Sequence, residues 1–127
     1  MELRREEAAS GPVITGLGPR GYRLRDRHVD GGLLLTPVEA VEWNAAALDR
    51  VSLDDLRPLL DLSPIAEFIL LGTGAQLVHP PRALVLAVED AGSGIEAMDS
   101  RAAARAWAVL RSEGRWIAAA LLPIGAR

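Results

Sequence analysis

The sequence predicts a three-layer α/β domain with a mixed central β-sheet. Short strand patterns separated by glycine-containing turns occupy the first third of the chain. From residue 68 to residue 122, strand and helix patterns alternate in the order β-α-β-α-β, which is typical of α/β proteins. Half of the 127 residues are hydrophobic, which is enough for one buried core. We expect residues 1–10 to form a flexible leader and residues 11–127 a single domain.

The first part of the domain is predicted to contain an N-terminal β-hairpin. A short strand over Val13–Gly18 ends in a Gly-Leu-Gly-Pro turn. Tyr22–Arg25 alternates between apolar and charged residues, and Val29–Leu35 follows after a polar turn, so these two segments are expected to pair. Pro37 is expected to end the second strand, and the segment between Pro37 and Ser52 is predicted to be irregular.

A short helix is predicted after this irregular segment. Ser52 and Asp55 have the spacing of a capping box, with the carboxylate in the first helical turn. One helical face would carry four leucines, at positions 53, 56, 59 and 60. Pro58 lies too deep for a regular helix, so we expect this helix to be short or kinked.

The second half of the chain shows the β-α-β pattern most clearly. Phe68–Leu71 is a continuous apolar run, which is typical of a strand covered on both faces. A helix is expected over Pro81–Ala91, with Gly92 as its C-terminal cap, followed by a strand over Ile95–Met98. We expect the two strands and the helix to form one right-handed crossover.

The last helix and strand complete the predicted sheet. Asp99 or Ser100 is expected to cap a helix that buries Trp107 and ends at Gly114. The following segment, Trp116–Leu122, is strongly apolar. A strand that is apolar on both faces would promote aggregation at an exposed edge, so we place it in the middle of the sheet.

Composition argues against several classes of function. The chain has no cysteine, which removes disulfides, thiolate nucleophiles and thiolate metal ligands. Its two histidines, His28 and His79, lie far apart in sequence, so we expect no metal site. The net charge is −3, whereas nucleic-acid-binding proteins usually carry a basic face. We therefore expect no metal, no cofactor, no nucleic-acid partner and no catalytic set.

No segment is predicted to enter or cross a membrane. The first residues carry charges of both signs without a following apolar core, unlike a secretory signal. The longest apolar run, Trp116–Ile124, is far shorter than the roughly 20 residues that span a bilayer. We expect a soluble, cytoplasmic protein.

The best candidate for a ligand site is the Gly72-Thr73-Gly74 segment, which follows a buried strand. Asp99 and Ser100 follow the next strand and open a helix. Ligands of open α/β sheets bind beyond the carboxyl ends of the strands, and free N–H groups at a helix start attract anions. We predict a small anion there, although Asp99 has the wrong charge. In the alternative interpretation the glycines only allow a sharp turn and Asp99 only caps the helix.

Two further residues carry weaker signals. His79 has no serine or acid at a useful local spacing, so a loop histidine bonded to backbone is favoured over a general base. Trp43 lies in the segment predicted to be irregular and is the candidate for an exposed interaction contact, whereas Trp107 is expected in the core.

Three segments resemble those of a known domain family. They read ITGLGPRGYRL near the start, ILLGTGAQLVHPP in the middle and GIEAMDSRAAARAWAVLRSEGRWIAAALLPI at the end. In this order they are similar to a family of unknown biochemistry that contains the mitochondrial complex I assembly factor number three and many small bacterial and archaeal proteins. The resemblance extends from about Val13 to Ile124.

The resemblance implies both a fold and a function. The family fold is a three-layer α/β domain with a mixed sheet. The eukaryotic member helps to assemble NADH:ubiquinone oxidoreductase by binding other proteins, so the resemblance implies a non-catalytic interaction protein whose partners are respiratory-complex subunits or assembly proteins. Many members have cysteine, tyrosine and asparagine where this sequence has Ala104, Trp107 and Ala108, so no role of those polar groups is carried over.

Two other hypotheses remain open. The chain is a small-molecule binding protein or an enzyme that uses the Gly72–Gly74 segment, or it is a homo-oligomer in which the hairpin edge pairs with a second copy.

Overall fold

The computed structural model describes residues 11–45 and 47–125, and the predicted leader lies outside these ranges. Within them the chain forms eight strands, three α-helices and one 3-10 helix. The strands are β1 (Ile14–Gly18), β2 (Gly21–Leu24), β3 (His28–Asp30), β4 (Gly32–Leu35), β5 (Ala40–Trp43), β6 (Ile69–Gly72), β7 (Ile95–Met98) and β8 (Ala118–Leu121). The helices are the 3-10 helix η1 (Leu48–Arg50) and the α-helices α1 (Arg57–Leu60), α2 (Arg82–Asp90) and α3 (Ser100–Ser112).

Two sheets organise the fold. The central sheet has the order β5-β4-β8-β6-β7, in which β6 is parallel to β7 and β8 while β4 is antiparallel to β5 and β8. The smaller sheet is antiparallel, with the order β1-β2-β3. The mixed central sheet and the central position of β8 are confirmed. The helix α2 joins the parallel neighbours β6 and β7, as the pattern of the sequence predicts.

Alternation along the buried strands builds the three layers. On β6, Ile69 and Leu71 face a core that includes Leu84 of α2 and the leucines of α1. Leu70 faces the opposite core, which includes Trp107 of α3 and residues of the small sheet. The central sheet is therefore covered on one side by α1 and α2, and on the other by α3 together with the small sheet.

The predicted strand over Val29–Leu35 is wrong as a single element. Gly31 has φ +88°, a conformation that favours glycine, and it divides the segment into β3 and β4. The first half pairs with β2, as predicted, and the second half enters the central sheet. Gly31 thus allows one continuous segment to contribute β3 to the small sheet and β4 to the central sheet.

The segment predicted to be irregular contains β5. Thr36 accepts hydrogen bonds through Oγ1 from the backbone nitrogens of Val38 and Glu39, at 3.2 and 3.1 Å, which closes a tight turn around Pro37. Pro37 ends β4 as predicted, but the turn leads directly into a partner strand. Trp43 then pairs with Gly32 and is only 6% exposed. The expectation that Trp43 is exposed is therefore wrong, and its role as an interaction contact stays a prediction.

The structure contains the capping hydrogen bonds that the sequence predicts. Ser52 and Asp55 exchange hydrogen bonds between side chain and backbone at 3.0 and 3.3 Å. A tight turn follows, and α1 begins only at Arg57, so Pro58 lies in its first turn, where proline is tolerated. Asp99 caps α3 by accepting a hydrogen bond of 2.8 Å from the Ala102 nitrogen.

Candidate functional site

The parallel pairing of β6 and β7 brings the two predicted loops together. Gly72 is the register partner of Met98, so both strands end at the same level. The Thr73 nitrogen donates to the Met98 carbonyl at 2.9 Å, and the Ser100 nitrogen donates to the Gly74 carbonyl at 2.8 Å. The structure thus gathers the five residues predicted for the ligand site at one rim: Gly72, Thr73, Gly74, Asp99 and Ser100.

Ser100 links three parts of this rim. Its side chain is fully buried, and its Oγ accepts from the Gly74 nitrogen at 2.8 Å and donates to the Leu122 carbonyl at 2.7 Å. A Cβ on Gly72 would lie 2.8 Å from this Oγ, so a glycine is required to let β6 approach α3. The Ser100 hydroxyl therefore ties β6, α3 and the end of β8 together.

Tyr22 reaches the same carbonyl from the small sheet. Its hydroxyl donates to the Leu122 oxygen at 2.5 Å, and the whole residue is buried. Burial raises the pKa of Tyr22 to about 12. Sequence reasoning did not single out this pair, because the two residues are far apart in sequence and only the fold brings them together.

Thr73 organises the loop that follows β6. Its Oγ1 donates to the Gln76 carbonyl at 2.6 Å and accepts from the Val78 nitrogen at 3.0 Å. Because Asp99 caps α3 and the hydroxyls of Thr73 and Ser100 hold backbone groups, the predicted site residues are bonded mainly to the protein itself.

A cleft of about 580 Å³ lies beside the rim. One wall is the Thr73–Val78 loop and the other is η1 with the residue before it. Its charged residues, Asp49 and Arg50, come from the segment that the sequence predicted to be irregular. The cleft therefore combines an apolar surface with one charge of each sign, and no signal in the sequence placed η1 next to the loop.

The loop exposes apolar side chains to solvent. Leu77 is 52% exposed and Val78 is 50% exposed. His79 follows them and is also exposed, and its side chain makes no hydrogen bond to the part of the chain that is described. The hydrogen bond expected between His79 and a backbone group is thus absent among the described residues.

Among residues 11–45 and 47–125, no helix is long and apolar enough to cross a membrane. Within the same ranges, no cluster of three or more His, Cys, Asp or Glu side chains has the proximity to hold a metal ion.

The sequence matches the family described as protein of unknown function (DUF498/DUF598) over residues 14–122. It is 36% identical to an uncharacterized protein of Rhodobacter capsulatus, over 94% of this chain and 92% of that protein. It is also similar to NADH dehydrogenase (ubiquinone) 1 alpha subcomplex assembly factor 3. The identity is 29% for the Danio rerio protein, over 97% of this chain and 71% of that protein. For the Homo sapiens protein it is 28%, over 97% of this chain and 67% of that protein.

Solved structures confirm the fold class. An outer membrane protein from Bartonella henselae superimposes with a TM-score of 0.80 at 26% identity, over 91% of this chain and 97% of that chain. A protein from Xanthomonas campestris gives a TM-score of 0.76 at 30% identity, over 98% of this chain and 94% of that chain. A Mth938-like domain from Bordetella pertussis gives 0.77 at 22% identity, over 91% of this chain and 87% of that chain, a likeness of fold alone.

Proposed function

The chain belongs to the DUF498/DUF598 family of proteins of unknown function, and from this premise we propose that it is a non-catalytic interaction protein that assists the assembly of NADH dehydrogenase. The observation that carries this proposal is the similarity to assembly factor 3 of Danio rerio, which extends over 97% of the chain. The proposed partners are subunits or assembly proteins of the respiratory complex.

The hydrogen bonds that the rim side chains make within the chain support an interaction role. The hydroxyls of Thr73 and Ser100 hold backbone groups of their own chain, and the Asp99 carboxylate accepts from a helix N–H. These hydrogen bonds fix the conformation of the loops that follow β6 and β7. A rigid loop that presents apolar side chains is suited to contact another protein surface, because little conformational entropy is lost on binding.

We place the contact surface at the exposed loop beside the cleft. Leu77 and Val78 are adjacent in sequence and each is about half exposed. The Thr73 hydroxyl fixes this loop through its bond from the Val78 nitrogen. The proposed occupant is an apolar surface segment of an NADH dehydrogenase subunit or assembly protein, which would cover both side chains.

Affinity purification from the native host tests this proposal. The full-length tagged chain is expected to enrich NADH dehydrogenase subunits or assembly proteins over an untagged control. A Leu77→Asp, Val78→Asp double variant is expected to lose this enrichment, because it places two charges on the proposed contact. Val109→Asp is the matched control, since Val109 is 55% exposed and lies on α3.

Circular dichroism of both variants would show that they fold. Absence of any NADH dehydrogenase component from the unaltered chain's eluate would overturn the proposal. Equal enrichment by the double variant would overturn the placement of the contact surface.

A second candidate function is the binding of a small anion at the same rim. The observation that favours it is the cleft, which Thr73 and Gln76 line together with Arg50, a residue whose guanidinium can bind anions. Nucleotides and small carboxylate or phosphate metabolites are expected to raise the melting temperature of the chain, and Arg50→Gln is expected to abolish the increase. A screen in which no compound raises the melting temperature would reject this candidate.

A further inference from the structure

A second, smaller pocket lies in the opposite layer of the fold. It has a volume of about 130 Å³ and lies between α3 and the residues around the start of β1. Two arginines, Arg25 and Arg111, line it together with the Trp107 ring. None of its lining residues belongs to the rim or to the large cleft.

Arg111 is the unusual residue of this pocket. It is only 9% exposed, and its Nη1 donates to the Arg115 carbonyl at 2.6 Å. Its Nε is buried and has no hydrogen-bond partner among the described residues. Burial lowers the pKa of Arg111, which reflects the cost of removing this charge from water. A buried guanidinium with an unpaired N–H is stabilised by any acceptor that enters.

Arg25 adds a second positive charge to the same pocket. In the part of the chain that is described, no carboxylate oxygen lies within 4.0 Å of a nitrogen of Arg25 or Arg111. Among the described residues that line the pocket, none is acidic. Two arginines that line one pocket bring two positive charges to it, and an anion bound there would offset these charges.

The remaining walls limit the size and shape of a ligand. The Trp107 Nε1 already donates to the Pro12 carbonyl at 3.2 Å, so the indole contributes its ring and not its donor. Val13, Ile14 and Ala108 supply apolar contacts. A volume of about 130 Å³ is small and suits a single carboxylate or phosphate group.

We propose that this pocket binds an oxyanion, a carboxylate or phosphate group held by the guanidinium groups of Arg25 and Arg111. Two sources could supply this chemistry. One is a free small anion or the acidic group of a larger ligand. The other is a carboxylate of the chain itself, since Glu6 and Glu7 precede Pro12 by only a few residues in sequence.

The Trp107 indole provides the readout, because it lines the pocket while Trp43 and Trp116 do not. In proton–nitrogen NMR spectra of the full chain, titration with inorganic phosphate or acetate is expected to shift the Trp107 indole resonance and leave the other two unchanged. Arg111→Gln is expected to weaken binding by about tenfold or more, as for a lost charge-assisted hydrogen bond. Arg25→Gln changes an exposed residue and is also expected to weaken binding.

Arg105→Gln is the matched control. Arg105 is exposed on the same helix and does not line the pocket, so the shift should persist in this variant. A Glu6→Gln, Glu7→Gln variant separates the two sources. If the chain's own carboxylate fills the pocket, this variant moves the Trp107 resonance without added anion and makes the pocket titratable. An unmoved Trp107 resonance in both the unaltered chain and the glutamine variant would overturn the proposal.

Discussion

The Tyr22 hydroxyl donates a hydrogen bond of 2.5 Å to the Leu122 carbonyl, which lies 100 positions further along the chain. The bond joins the small sheet to the end of the central strand β8, at the carbonyl that also accepts from Ser100. Because the phenol is buried at this junction, its ionisation is coupled to the packing of the two sheets.

The ionisation of Tyr22 can be measured without interference. Tyr22 is the only tyrosine of the chain, so tyrosinate absorbance near 295 nm reports this residue alone. Burial raises the pKa of Tyr22 to about 12, and the folded protein is therefore expected to titrate near that value. The same protein in urea should titrate near the ordinary tyrosine pKa of about 10. A native midpoint close to the unfolded one would show that the phenol is accessible to water.

The raised pKa predicts a loss of stability at alkaline pH. Below about pH 10 the phenol is neutral in both states, and its contribution to stability is fully present. As the pH rises from about 10 towards 12, only the unfolded state ionises, and up to ~2–3 kcal/mol of unfolding free energy is lost. The chain has no lysine, so few other groups titrate in this range. Urea unfolding at several pH values would measure the slope, and Tyr22→Phe is expected to flatten it.

Removal of the Ser100 hydroxyl is expected to destabilise the rim. Ser100→Ala leaves the buried Gly74 nitrogen without its partner, which costs about 1–3 kcal/mol for an unsatisfied buried donor. Ser112→Ala is the matched control, because that hydroxyl also bonds a backbone carbonyl, of Val109, but is exposed. Urea unfolding would compare the two variants. Equal losses of unfolding free energy would mean that the buried Ser100 hydrogen bond stabilises the protein no more than a hydrogen bond on the surface.

The sequence predicts those parts of the fold that depend on local patterns. The apolar run at β6, the cap at Asp99 and the stop at Gly114 all follow from the chemistry of neighbouring residues, and the structure contains them. The central position of β8 also follows, because its residues are apolar on both faces. The proximity of the Gly72–Gly74 segment to Asp99 and Ser100 also follows from the sequence, because the parallel strands β6 and β7 end at the same level.

Features that depend on tertiary contact were not predicted. Trp43 looked exposed because no periodic pattern surrounds it, but a four-residue turn returns its segment to β4. The donors to the Leu122 carbonyl, Tyr22 and Ser100, meet only after the two sheets pack. Arg111 has no distinguishing neighbour in sequence, and that its Nε is buried without a partner among residues 11–45 and 47–125 is visible only in the folded chain.

The ion pair between Glu67 and Arg115 gives a prediction at acidic pH. Hydrogen bonds from the guanidinium lower the pKa of Glu67, with the shortest contact at 2.7 Å. The folded state therefore favours the charged carboxylate. This contribution to stability is present above the unfolded pKa and is lost as the pH falls through the folded one. Carbon-detected NMR titration of the Glu67 carboxyl would report a midpoint below its usual range. Arg115→Gln should raise that midpoint, and an unchanged midpoint would contradict the assignment.

The close approach of Gly72 to Ser100 can be tested by adding one methyl group. The Cβ of Gly72→Ala would lie 2.8 Å from the Ser100 Oγ and 3.0 Å from its Cα, with Leu121 Cδ2 at 2.9 Å. Overpacking of this kind costs about 1–3 kcal/mol, because neither backbone can move freely. Gly18→Ala is the matched control, since a Cβ there meets nothing within 4 Å and should change stability little. In the Ser100→Ala background one of the three contacts is gone, so Gly72→Ala should cost less there than in the unaltered chain. Strictly additive free energies in this double-mutant cycle would show that the glycine is required for backbone conformation and not for the approach of Ser100.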